Sequence, residues 1–282
     1  MGRLLALVDG STYSESVCDH TAWGAKRRGS GVTLVHVIGH RQGAKSDLSG
    51  NIGLGARTAL LEELADLDAA QAKLAQKRGR AILEDAKSRI EAAGVTDVQV
   101  RLRTGDLVET LGEMEPDHDI VIIGKRGEAA DFAKLHLGSN LERVVRGATL
   151  PTLVCSRAFQ PIKSFMVAFD GGPSAMKAVE HLTRSRVFPG LACTLLSVGS
   201  GAPMARRALD EAAARLREAG YEVTAEFVPG QPEEVIGERI KDGAADVLIM
   251  GAYGHSRIRN LIIGSTTTEM VRGCQIPLLL FR

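Results

Sequence analysis

The chain has 282 residues, of which 44% are hydrophobic and 24% charged, with a formal net charge of +1. That balance is the one expected of a soluble globular protein with about two domains, each long enough to bury its own core. It supplies no global field for nucleic acid or an anionic membrane, and four dispersed cysteines with no CxxC pair or histidine cluster offer neither a disulfide framework nor a metal site.

Leu4 to Val8 is an apolar run without alternation, the pattern of a strand covered on both faces, and it stops at Asp9. The run is too short for a signal-peptide core, and no apolar run approaches the roughly 20 residues of a membrane span, so a cytoplasmic, unanchored chain is expected. Gly10 to Ser14 reads as a turn and helix start, with a helix over 15–26 and a second strand over 32–38. A polar insertion follows from Gly39 to Leu54, in which Gly50, Gly53 and Gly55 read as loop. Leucines and alanines then recur at three- and four-residue steps without proline, which predicts a long helix over 57–93 ended by Gly94. A strand over 98–103, a turn at Thr104-Gly105-Asp106 and a helix from Val108 come next. The strand Asp119–Gly124 leads to Gly127, ten further residues, Gly138-Ser139, a short helical run and a last strand opened by Pro151.

The second half repeats this order. Strand 164–169 ends at Asp170, a helix runs to Arg184, and strand 192–198 ends at Val198. The connection over 199–204 is short here. After Gly220, strand 223–228 and the turn at Pro229-Gly230-Gln231, strand Asp246–Gly251 leads to Gly254, nine residues, Gly264-Ser265 and the strand after Pro277. A repeat of this size predicts two tandem α/β domains, 1–157 and 163–282. Each is an open five-stranded parallel sheet with helices on both faces, and the insertion and long helix at about 39–93 belong to the first. The short boundary at 158–162 predicts that the two sheets pack against each other. The apolar final strands, 150–155 and 276–281, are the edges through which the repeats are expected to meet.

The chemistry is expected at Gly251-x2-Gly254-x9-Gly264-Ser265-Thr266. Glycines at the carboxyl edge of a sheet let backbone N–H groups approach an anion. The start of the following helix offers unpaired N–H groups and the positive end of its dipole. Thr266-x-x-Glu269 reads as a capping box. Arg257 and Arg259 lie between the glycines without an acid. No P-loop is present, no Gly-x-Gly-x-x-Gly follows either first strand, and no catalytic constellation stands out.

With an Asp ending the first strand, this motif resembles the ATP-binding branch of the universal stress protein family, and the two-repeat layout resembles its tandem members. The resemblance covers nearly the whole chain. It implies an adenine-nucleotide alpha hydrolase-like, Rossmann-like fold and a stress-response protein binding ATP, ADP or AMP, with Mg2+ on the phosphates. Asp170 and Val198 would contact adenine and ribose, and Gly251, Gly254, Gly264, Ser265 and Thr266 would hold the phosphates. The matching positions Asp9, Val37, Gly124, Gly127, Gly138, Ser139 and Asn140 form a candidate second site. There the spacer is one residue longer and carries Glu128 and Asp131, which disfavour a triphosphate unless a metal or a cation offsets them, Lys125 and Arg126 being the candidate cations. Three roles stay open: a nucleotide-dependent regulatory module, an interaction module without nucleotide that meets an unidentified protein partner or a second copy of itself, and a weak ATPase. A partner nucleic acid or membrane is not expected.

Overall fold

A computed structural model describes residues 2–39, 54–127, 139–252 and 264–282. Repeat 1 runs β1 (Arg3–Leu7), α1 (Ser14–Arg28), β2 (Val32–Ile38), α2 (Leu54–Ala92), β3 (Val98–Thr104), α3 (Leu107–Met114), β4 (His118–Gly124), α4 (Ser139–Gly147) and β5 (Thr152–Cys155). Repeat 2 runs β6 (Ser164–Ala168), α5 (Pro173–Arg184), β7 (Ala192–Val198), α6 (Pro203–Glu218), β8 (Val223–Val228), α7 (Pro232–Lys241), β9 (Val247–Gly251), α8 (Ser265–Gly273) and β10 (Leu278–Phe281). The predicted order is present in both halves. The insertion at 40–53 lies outside the described residues.

Within each repeat the five strands are parallel, in the order β3-β2-β1-β4-β5 and its counterpart β8-β7-β6-β9-β10. The two sheets do not stack. They join edge to edge, because β5 and β10 pair antiparallel, with Leu278 opposite Val154, Leu279 opposite Leu153 and Leu280 opposite Thr152. A single ten-stranded sheet results. Each final strand would otherwise present a row of unpaired N–H and C=O groups, and each is the natural cover for the other.

Alternation along the strands sends neighbouring residues to opposite faces. Leu5 and Leu7 of β1 join Met166 of β6 and Leu278 and Leu280 of β10 in one apolar core, which α3, α4, α7 and α8 cover. That core is common to both repeats. On the other face the cores are separate. Leu4 and Ala6 pack under α1 and α2 with Leu83, Ala86 and Ile90, whereas Phe165 and Val167 pack under α5 and α6 with Leu182, Leu209 and Leu216. Between them lies a small cavity of about 40 Å³ lined by His20, Trp23, Arg28, Ile120, His181 and Phe188. Arg27 of α1 donates to the backbone carbonyls of Val187 and Pro189 in repeat 2.

Candidate functional site

Because β7, β6 and β9 are adjacent and parallel, their carboxyl ends share one edge of the sheet. Asp170 follows β6 there and is exposed. Its Oδ1 accepts the N–H of Gly172 at 2.8 Å, so the carboxylate is held at the start of α5. Gly171 between them has φ +76°, a left-handed conformation that a side chain would strain. Val198 closes β7, paired with Val228 and partly buried against the common core. Gly251 closes β9. A Cβ on Gly251 would come within 2.9 Å of Ser174 Cβ, so the first turn of α5 sits directly against the strand end. Glycine is required at this point by helix packing, a reason independent of any ligand.

Gly264 is the N-cap of α8 and donates its N–H to the carbonyl of Ala252 at 3.2 Å, which brings the helix start back to the end of β9. Its N-cap glycine has no side chain to cap the helix, and no side-chain cap is made among the described residues. Among the described residues the first-turn N–H groups therefore have no side-chain cap competing for them. Ser265 is exposed at the first helical position. The capping-box reading of Thr266 and Glu269 does not hold. The helix begins two residues earlier than that motif requires, with Gly264 and not Thr266 at the N-cap, the Thr266 hydroxyl lies 3.4 Å from Glu233 Oε2, and Glu269 pairs with Arg272 at 3.8 Å. Two contributors were missed from sequence. Thr267 is buried and donates its hydroxyl to the carbonyl of Gly251 at 3.1 Å, tying α8 to β9. Glu233, in the first turn of α7, adds a carboxylate beside the helix start. No local motif marks either residue, since their roles depend on contacts between elements. Gly254 lies outside the described residues.

This architecture can be compared with known proteins. A model of the universal stress protein family matches residues 1–156 and again residues 161–282. The chain belongs to the universal stress protein family. It is 38% identical to a universal stress protein of Synechocystis sp. over 100% of both chains. It is similar in fold to a universal stress protein from Archaeoglobus fulgidus, with a TM-score of 0.75 at 20% identity, covering 99% of this chain and 98% of that one. A functionally unknown protein from Pseudomonas aeruginosa shares the fold at a TM-score of 0.58 and 13% identity, over 99% of this chain and 92% of the other.

In this universal stress protein the amino-terminal repeat reproduces the frame with different detail. Asp9 follows β1, and its Oδ1 accepts the Ser11 N–H at 2.9 Å and the Ser14 hydroxyl at 3.2 Å. Val37 lies near the end of β2, opposite Arg103. Gly124 ends β4, where a Cβ would come within 2.7 Å of Tyr13 Cβ. Gly127 lies so close to Asp9 that a Cβ there would be 2.8 Å from Oδ2. Ser139 and exposed Asn140 open α4, and Gly138 lies outside the described residues. Lys125 does not serve as the compensating cation suggested by the sequence. Its Nζ donates across the repeat boundary to the carbonyl of Cys274 at 2.8 Å, and burial lowers its pKa. Packing against repeat 2 has claimed that charge.

All four cysteines are buried and unpaired by disulfides. Burial pushes the Cys18 and Cys193 thiols up to about 12 and raises Cys155 and Cys274 as well, which removes them as nucleophiles. Among the described residues no group of three or more His, Cys, Asp or Glu could hold a metal ion, and no helix is long and apolar enough to cross a membrane.

Proposed function

We propose that this protein binds an adenine nucleotide, chiefly in its carboxy-terminal repeat, and acts as a nucleotide-dependent regulatory or interaction module in the cytoplasmic stress response. The observation that carries this reading is the meeting of Asp170, Val198, Gly251 and the glycine-started α8 at one sheet edge. Such an edge is where open α/β sheets hold ligands, and a helix start with available N–H groups suits a phosphate. Asp170 and Val198 are assigned to the nucleoside, and Gly251, Gly254, Gly264, Ser265 and Thr266 to the phosphates. The Glu233 carboxylate beside Thr266 disfavours a bare polyphosphate and favours one carrying Mg2+. Magnesium would neutralise phosphate charge, while the chain's own groups bind and orient. Among the described residues no side chain at this edge is placed as a base for an attacking water, and the site is assigned to binding and not to turnover.

Calorimetric titration with Mg-ATP, after a check for carried-over nucleotide, tests this. One nucleotide per chain is expected, with binding lost in Gly264→Asp and retained in Gly138→Asp. No heat and no carried-over nucleotide would overturn the proposal. They would favour an interaction module without nucleotide, for which the packing role of Gly251 against Ser174 already supplies a ligand-free reason for glycine.

A further inference from the structure

The long helix α2 has two unlike halves. Its later part is anchored on the sheet by Leu83, Ala86 and Ile90, all buried in the amino-terminal core. Its earlier part leaves the body, and every residue from Leu61 to Leu74 is exposed. At 1.5 Å per residue that stretch extends about 20 Å. A free helix of this length is marginal in water. Yet it carries four of the five large exposed hydrophobic residues among the described residues, Leu61, Leu64, Leu67 and Leu74, at 48%, 37%, 53% and 67% exposure.

Three of them, with the partly buried Leu60, have the spacing of a pairing helix. Leu60, Leu64, Leu67 and Leu74 occupy alternating four- and three-residue steps, with Gln71 at the one interrupted position. This is the seam of a coiled coil, in which a lone polar residue serves to fix register. The charges identify the partner. Glu62, Glu63, Asp66 and Asp68 fill the first part of the segment, and Lys73, Lys77, Arg78 and Arg80 fill the second. Such a segment is complementary to itself when reversed. Parallel alignment would set acid against acid and base against base, whereas antiparallel alignment sets each block against its opposite. A twofold contact between identical chains has this self-complementary form.

We propose that two copies of this chain associate through antiparallel pairing of their exposed α2 segments. With Leu64 of one copy against Leu74 of the other, Leu67 meets Gln71 and Glu63 lies alongside Lys77. The contact is distinct from the β5–β10 pairing that joins the repeats within one chain, and it does not depend on nucleotide binding.

Sedimentation equilibrium of the full chain tests it, with circular dichroism and thermal unfolding as controls for folding. The wild type is expected to be a dimer. Leu64→Glu/Leu67→Glu, changing only exposed positions, is expected to keep the fold and raise the dissociation constant at least about a hundredfold. Glu63→Lys is expected to weaken association, and Glu63→Lys/Lys77→Glu to restore it, because each new lysine then faces a new glutamate. A monomeric wild type would overturn the proposal. So would a dimer indifferent to the leucine substitutions, or a double charge swap that fails to recover association. A monomeric wild type whose thermal midpoint falls in Leu64→Glu/Leu67→Glu would assign the leucines to packing within the chain instead.

Discussion

At the scale of single residues, the junction of the repeats holds a matched pair of histidines. His20 and His181 each lie eleven residues after the aspartate that ends their first strand. Both line the cavity between α1 and α5. The His20 ring packs against Phe159 and the His181 ring against Phe281. Burial lowers both pKa values from the ordinary 6.5. For His20 this is opposed by its hydrogen bond to the Ser16 carbonyl and by Asp19, and for His181 it is reinforced by Arg28 and opposed by Asp119. Buried His20 Nε2 has no hydrogen-bond partner among the described residues, so the neutral ring is the form the fold accommodates. The unfolded chain therefore binds more protons than the folded one between the lowered values and 6.5. Stability is fully present above 6.5 and is lost as pH falls through that window. Thermal midpoints measured between about pH 7.5 and 5.5, above the main carboxylate range, are expected to fall with pH in the wild type and to change much less in His20→Asn/His181→Asn. An unchanged slope in the double variant would refute this assignment.

At the scale of elements, α2 shows how packing overrides propensity. A glycine inside a helix ordinarily costs about 1 kcal/mol relative to alanine, so Gly79→Ala should stabilise an isolated α2. In the fold, a Cβ on Gly79 would come within 2.6 Å of Leu102 Cδ1 and 2.9 Å of His36 Cδ2. Leu102 can move its methyl, but the His36 ring is held by a 2.8 Å hydrogen bond between Nδ1 and the carbonyl of Val8. Overpacking against a fixed ring outweighs the helix gain. Gly79→Ala is expected to lose about 1 kcal/mol in denaturant unfolding, and a stabilised variant would mean that the ring yields.

For the whole molecule, the continuous sheet and the common core argue against independent repeats. Leu5 and Met166, from the first strands of the two repeats, belong to one buried cluster, and β10 bonds to both β9 and β5. Opening either repeat would expose that shared surface, so the two should melt together. Calorimetry is expected to show a single transition whose van't Hoff and calorimetric enthalpies agree, and two resolved transitions would contradict this.

The sequence by itself determined the repeat, the order of strands and helices, the strand ends at which Asp170 and Gly251 stand, and the helix start at Gly264. These are carried by local signals: unbroken apolar runs, helical periodicity and glycines at turns. The family followed from the same residues. The sequence also marks the final strands as the edges through which the repeats meet, and β5 and β10 do pair. Only the tertiary structure decided that this pairing is antiparallel and in which register, because an apolar strand carries no signal for the direction or alignment of a distant partner. It likewise decided that Gly251 makes room for Ser174, that Lys125 is spent on Cys274 and that Glu233 stands beside Thr266. Each of these joins residues far apart in the chain, and no periodicity or spacing encodes which distant side chain will fill a given space.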